Sequence, residues 1–427
     1  MEDSTYRLIS LSGFFVIAGI AWMTGTRTKI KIETIVGSIF LAWALGALTF
    51  WFSGSRAALK WINDFLIALL SASQKGSIFL FGPLALSPGQ ALADGTASIG
   101  FVLAFQVFPS VIFFSALVGG LYYLGLMQKI VQFFSKAFHR ILALSGAESL
   151  AASANLFVGI ESGLTVRPYL KKMTRSELLT LMTCMMATVA STVMGIYVIA
   201  LQKSFPNIAG HLVSASLISI PCAILVSKLF YPEQGQPKTL GKSSDNDSHD
   251  DSNQTNLMNA FVEGGSQGVK MAVGIATVLI IVLGLEALFD LILGKLPEFQ
   301  GQPFSAARLL GWITFPFSIL LGLRPEEWEV ASQILGSRFI ETEVSAYFTL
   351  ASIQATDSAL TIRSMTIMTY ALCGFVHISS MGIFTGGLSA LVPSRAHEIS
   401  LIGLQALWTS FLATLLTGCI AGSLVLI

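Results

Sequence analysis

Two glutamates stand where glutamate is expensive. Glu161 and Glu343 each interrupt a long apolar stretch, at residues 149–170 and 330–352. A carboxylate at bilayer depth costs about 3 kcal/mol or more and persists only beside partners or water. Each stretch also loses helical character around its acid. The first is broken by Asn155, Gly159, Ser162 and Gly163, the second by Gly336, Arg338, Glu341 and Thr342. Backbone that leaves the helix at that depth must be buried in protein or line a wet cavity. Both stretches therefore read as re-entrant hairpins, and their two acids could face one shared chamber. The plainer alternative is a structural salt bridge, for instance Glu341 or Glu343 with Arg338.

Other polar residues cluster near these acids. Asn155, Val158 and Gly159 make a carbonyl-rich turn, and Thr188 and Val189 lie in a run that mixes hydroxyls with small residues. An amide oxygen, a hydroxyl and unwound carbonyls form a hard oxygen shell suited to an alkali cation. Ser191 and Thr192 read better as small residues that allow tight helix packing, and Thr188 fits either role. Farther on, Phe375, His377, Ser379 and Ser380 set a ring beside hydroxyls and an imidazole. That set suits a flat polar solute, with stacking for a ring and hydrogen bonds for a sugar. His377 fits equally as a solute contact, a proton relay or a satisfied interior histidine.

The elements that position these residues belong in a bilayer. Of 427 residues, 53% are hydrophobic and only 11% charged, against roughly 25% charged in soluble proteins. Mean hydropathy is +0.72. A net charge of +1 carries no footprint of a nucleic-acid binder. Cys184, Cys222, Cys373 and Cys419 lie apart, and the five histidines lack metal-ligand spacing. No nucleophile–base pair or metal cluster supports an enzyme, and no cofactor is expected.

A span takes about 20 apolar residues. Eight stretches qualify: 8–24, 35–52, 101–127, 178–201, 212–230, 271–293, 362–391 and 401–427. Residues 58–70, carrying Lys60 and Asp64, read as an amphipathic helix along the interface. The acidic start Met-Glu-Asp-Ser lacks the basic flank of a cleaved signal, so the first stretch is expected to stay as a span. An outer N-terminus puts most of the 25 basic residues inside, with the polar linker. The fold expected is an all-α polytopic membrane protein with eight transmembrane helices and two re-entrant hairpins in inverted repeats. Its units are an N-terminal scaffold with the interfacial helix (1–143), a first transport repeat (144–231), a mobile polar linker (232–257), a scaffold helix (258–298) and a second transport repeat (303–427). Each repeat runs hairpin, broken helix, helix, and an odd number of crossings separates the hairpins. Secondary transporters use inverted repeats of this kind to hold a midplane site.

From about Trp61 onward the sequence resembles the concentrative nucleoside transporters. The residues that carry the likeness are Gly76-Ser-Ile-Phe-Leu-Phe-Gly82, Phe108-Pro-Ser-Val-Ile-Phe-Phe-Ser-Ala-Leu, Leu121-Tyr-Tyr-Leu-Gly and Asn155-Leu-Phe-Val-Gly159. Met173-Thr-Arg-Ser-Glu-Leu, Glu343-Val-Ser-Ala-Tyr347, Ala371-Leu-Cys-Gly-Phe375 and Ser379-Ser-Met-Gly-Ile383 follow in the family's order. The resemblance implies a homotrimeric, multi-pass symporter of the inner (plasma) membrane. It would import nucleosides with a sodium ion, or alternatively a proton, by elevator-type alternating access. It places Glu343, Phe375 and Ser380 at solute-binding positions, Glu343 and Ser380 on the ribose side, with Val193 against the base. Asn155, Val158, Thr188 and Val189 match the sodium shell. Around the first tip the family's Gly-Gln-Thr/Ser-Glu-Ala-Pro becomes Gly159-Ile-Glu-Ser-Gly-Leu164. Ile160 thus replaces the base-reading glutamine, Glu161 arrives one residue early, and Ser162 follows it. An isoleucine cannot donate and accept as an amide does, so Glu161 is expected to take over part of the base contact. His377 and Thr342 replace two asparagines, the first of them on the ribose side.

Overall fold

The computed structural model describes residues 2–87, 90–92, 95–157, 159, 162–239, 256–298, 301, 303–354 and 360–425, and these form helices and connections without a strand. The chain begins with α1 (Glu2–Thr24), α2 (Ile32–Trp51), α3 (Ser53–Phe81), a short α4 (Leu103–Gln106), α5 (Phe108–Tyr123) and α6 (Leu126–Leu142). A hairpin follows, α7 (Gly146–Ala154) returning through α8 (Ser162–Thr165) and α9 (Arg167–Leu170). Next come a broken helix, α10 (Arg175–Ala187) and α11 (Ser191–Leu201), and the unbroken α12 (Ile208–Phe230). After α13 (Leu257–Leu293) the order returns. α14 (Ala306–Leu320) precedes the hairpin of α15 (Trp328–Ser337) and α16 (Glu343–Ile353), the broken pair α17 (Ile362–Ala371) and α18 (Ile378–Leu391), and α19 (Ala396–Leu424).

All eight expected crossings are present, two of them as broken pairs, and both hairpins occupy the expected stretches. Three features differ from the sequence expectation. The helix expected at 58–70 runs on as α3 to Phe81, and residues 57–85 are long and apolar enough to cross a membrane. Ser71–Ser73 do not break it; Gly82, with φ +54, ends it. The third crossing, at residues 103–123, is shorter than expected at both ends; Pro109 fits the first turn of α5, and the helix stops before Gly125 at φ +71. Two helices were not expected, α6 and α14. α6 buries Met127, Val131, Phe138 and Leu142 on one face and exposes Lys129, Lys136 and Arg140 on the other. α14, at 15 residues and with Pro316 inside, is too short to read as a span. Both lead directly into a hairpin.

Packing centres on α12 and α19, which touch each other and take α10 and α17 between them. α1 lies along α19, and α2 along α12. α13 leans on α5, close enough that a Cβ on Gly264 would stand 2.5 Å from the Ser115 carbonyl oxygen.

Buried charges tie the base of the first repeat. Ser145 and Thr174 start α7 and α10 with capping boxes to Glu148 and Glu177. Ser145 Oγ also donates to Glu177 Oε1 at 2.6 Å. Lys228 pairs with Glu148 and donates to Ser176 Oγ at 3.0 Å, joining the end of α12 to both starts.

Candidate functional site

Both breaks contain extended backbone. Thr188, after α10, has φ −120° and ψ 163°, and His377, before α18, has φ −148° and ψ 160°. The two breaks meet back to back. A Cβ on Gly374 would lie 2.8 Å from the Met186 carbonyl oxygen, so glycine is what lets the second break approach the end of α10. The half-helix ends and the hairpin turns thus converge in the protein interior.

Glu343 opens α16, only 4% exposed, with Thr342 as N-cap. The first turn of a helix favours a negative charge there. Tyr197, on α11 of the other repeat, donates its hydroxyl to Glu343 Oε1 at 2.8 Å. Glu343 Oε2 has His377 Nε2 at 2.7 Å, off the hydrogen-bond axis, and accepts no aligned hydrogen bond among the described residues. One oxygen of a buried carboxylate is therefore held by an aligned hydrogen bond, and the other has only the off-axis imidazole beside it.

His377 is fixed by the helix it caps. Its Nδ1 accepts from the Ser380 backbone N–H at 3.2 Å, and Ser380 Oγ lies 2.5 Å from Nε2. An accepting Nδ1 carries no proton, so the ring's hydrogen sits on Nε2, towards Glu343 and Ser380. Phe375 is half-buried within the same break, its ring 6.0 Å from that of Phe384. Val193 is buried on α11 one helical turn before Tyr197, on the same face.

A second polar cluster lies in the first repeat. Asn155 follows α7, fully buried, and its carbonyl oxygen accepts from Thr188 Oγ1 at 3.2 Å. Its Oδ1 accepts from Ser162 Oγ at 2.6 Å, while Nδ2 has no partner among the described residues. Turning the amide over gives Nδ2 the Ser162 oxygen and frees Oδ1 to join the carbonyls. Val189 is buried in the adjacent extended segment. The donors met here are hydroxyls.

The structure brings together Glu343, His377 and Ser380 as one group, and Asn155, Ser162 and Thr188 as another. Val158, Ile160 and Glu161 lie outside the described residues. Two expectations change. Arg338 forms no ion pair with Glu341 or Glu343 among the described residues; its guanidinium reaches backbone carbonyls, and Glu341 bonds Ser345. Tyr197 went unnoticed in the sequence, where one tyrosine in an apolar helix looks like core. Its spacing of four from Val193 was the only signal.

Three family patterns match the chain. They are described as Na+ dependent nucleoside transporter N-terminus (residues 12–84), Nucleoside recognition (104–204) and Na+ dependent nucleoside transporter C-terminus (211–422). An uncharacterized transporter of Haemophilus influenzae is 34% identical over 421 residues, covering 97% of each chain. The rat sodium/nucleoside cotransporter 1 is 32% identical over 435 residues; the match takes in 98% of this chain but only 64% of the rat protein. Among solved structures, CNTnw in an inward-facing substrate-bound state superposes with a TM-score of 0.88 at 30% identity, covering 98% of both chains. An outward-facing double variant of CNTnw gives 0.90 at 29% identity, again over 98% of each.

Proposed function

The chain belongs to the concentrative nucleoside transporter family, and from that premise we propose that it imports nucleosides together with a sodium ion. The observation that carries the reading is the buried carboxylate of Glu343, whose Oε1 is held by Tyr197 and whose Oε2 has only the off-axis His377 Nε2 beside it. A buried charged oxygen without an aligned donor favours a ligand hydroxyl, because a poorly paired acceptor there forfeits its solvation. Glu343 is the acceptor for a ribose hydroxyl, beside His377 and Ser380, and Val193 and Phe375 provide apolar surface for the base. The family resemblance assigns Ile160, Glu161 and Ser162 to the base side.

Sodium is the coupling ion in this reading. The last carbonyls of α10 end in the interior without helical partners and carry partial negative charge. Asn155, Thr188, Val189 and Val158 supply oxygens to a hard cation there. Binding the ion orders the first hairpin against the break and raises affinity for solute, and by linkage the solute raises affinity for sodium. The loaded repeats then move across the inner membrane against their supporting helices, within a homotrimer. A proton in place of sodium is the alternative.

The test is binding of tritiated uridine to purified protein, with sodium or choline, and with competing nucleosides, free bases and ribose. The reading requires sodium-strengthened binding and displacement by nucleosides more than by bases or ribose. Binding indifferent to sodium, or none, contradicts it.

A further inference from the structure

A half-helix that ends inside a membrane protein leaves carbonyls that lipid cannot solvate. Among the described residues, the broken helices end this way at Ala187 of α10 and Ala371 of α17. In each repeat the residue that follows the first hairpin helix meets the end of a broken helix, Asn155 through its backbone carbonyl and Arg338 through its side chain. Asn155 directly follows the first helix of its hairpin and contacts Thr188, 33 positions on. Arg338 directly follows the first helix of the other hairpin and contacts Ala371, also 33 positions on.

The two places are filled differently. Arg338 is completely buried and donates from Nη1 to Ala371 O at 2.6 Å and from Nη2 to Gly374 O at 2.9 Å. Nη1 also reaches Thr414 Oγ1 at 3.4 Å. A guanidinium thus stands among two break carbonyls and a hydroxyl. Asn155, its counterpart, is neutral and short, and leaves its own break with oxygens and hydroxyls.

We infer that Arg338 is a tethered cation, occupying in the second repeat the position that the sodium ion takes in the first. This inference rests on the sodium reading above and extends it to number. With one position filled by a side chain, each solute travels with one sodium ion. Arg338 is a positioning residue, since it holds the break from which His377 and Ser380 face Glu343.

The experiment uses the full chain, with uridine binding and thermal unfolding as readouts. Wild-type binding should rise with sodium with a Hill coefficient of about one; two mobile ions allow it to approach about two. Arg338→Ala should lower uridine affinity about tenfold or more, and millimolar guanidinium should restore affinity and melting temperature where equal choline does not. Arg338→Lys should keep the wild-type Hill coefficient. A wild-type coefficient near two overturns the inference, as does an alanine variant on which guanidinium and choline act alike. Should the alanine variant fail to fold, the wild-type coefficient and the lysine variant decide. Sodium-independent uridine binding would sink the coupling reading instead, and guanidinium rescue of the melting temperature would still judge Arg338.

Discussion

Replacing Tyr197 by phenylalanine removes one oxygen and leaves the packing as it is. Tyr197 is fully buried, and its ring lies 4.7 Å from that of Tyr347. The change opens almost no cavity, so what is lost is the 2.8 Å bond to Glu343 Oε1. A hydrogen bond to a charged group contributes about 1.5–3 kcal/mol. If the whole of it is felt in solute binding, affinity falls about 12- to 160-fold. The cost has two parts. Glu343 loses the partner that turns Oε2 towards the solute, and a buried charge loses one of its two neighbours. Part of the loss should therefore appear in the solute-free protein, as a lower melting temperature. Equilibrium binding of tritiated uridine in saturating sodium reads the first part, and thermal unfolding without solute the second. Uridine affinity within about threefold of wild type would refute the idea that Tyr197 orients the carboxylate.

Glu343→Gln keeps the side chain's size but gives up the charge, and sodium-driven uridine uptake should drop by at least about tenfold in vesicles while the protein remains folded. Thr188→Val keeps the shape and removes the hydroxyl shared by Asn155 and Cys184. The sodium concentration for half-maximal uridine binding should rise about 2- to 12-fold, with uridine affinity at saturating sodium little changed. Lys228→Met leaves Glu148, 3% exposed, as an unpaired buried charge, which costs about 3–5 kcal/mol and should show as a lower melting temperature. That site is remote from Glu343, so the uridine affinity of the folded fraction should hold.

Much of the arrangement was legible because polar residues in apolar runs are conspicuous. Glu343, His377 and Ser380 stood out in stretches that otherwise read as membrane, and the structure gathers them. Asn155 and Thr188 were legible in the same way, whereas Ser162, expected on the solute side, donates to Asn155. Arg338 was visible but its partners were not. Sequence proximity suggested Glu341 or Glu343, whereas the carbonyls it reaches lie 33 and 36 positions away, exposed only once α17 breaks. Tyr197 was silent because a tyrosine on an apolar helix has the same signature as core. The helices α6 and α14 escaped for a further reason. One is amphipathic and the other short, so neither has the length of apolar residues that marks a crossing.

The most direct measurement is uptake of radiolabelled uridine into vesicles containing only this protein, with an inward sodium gradient at equal pH on both sides. The account predicts that uridine rises inside above its outer concentration and falls back when the sodium gradient collapses. Accumulation driven by a pH gradient without sodium, or mere equilibration under either gradient, would contradict it.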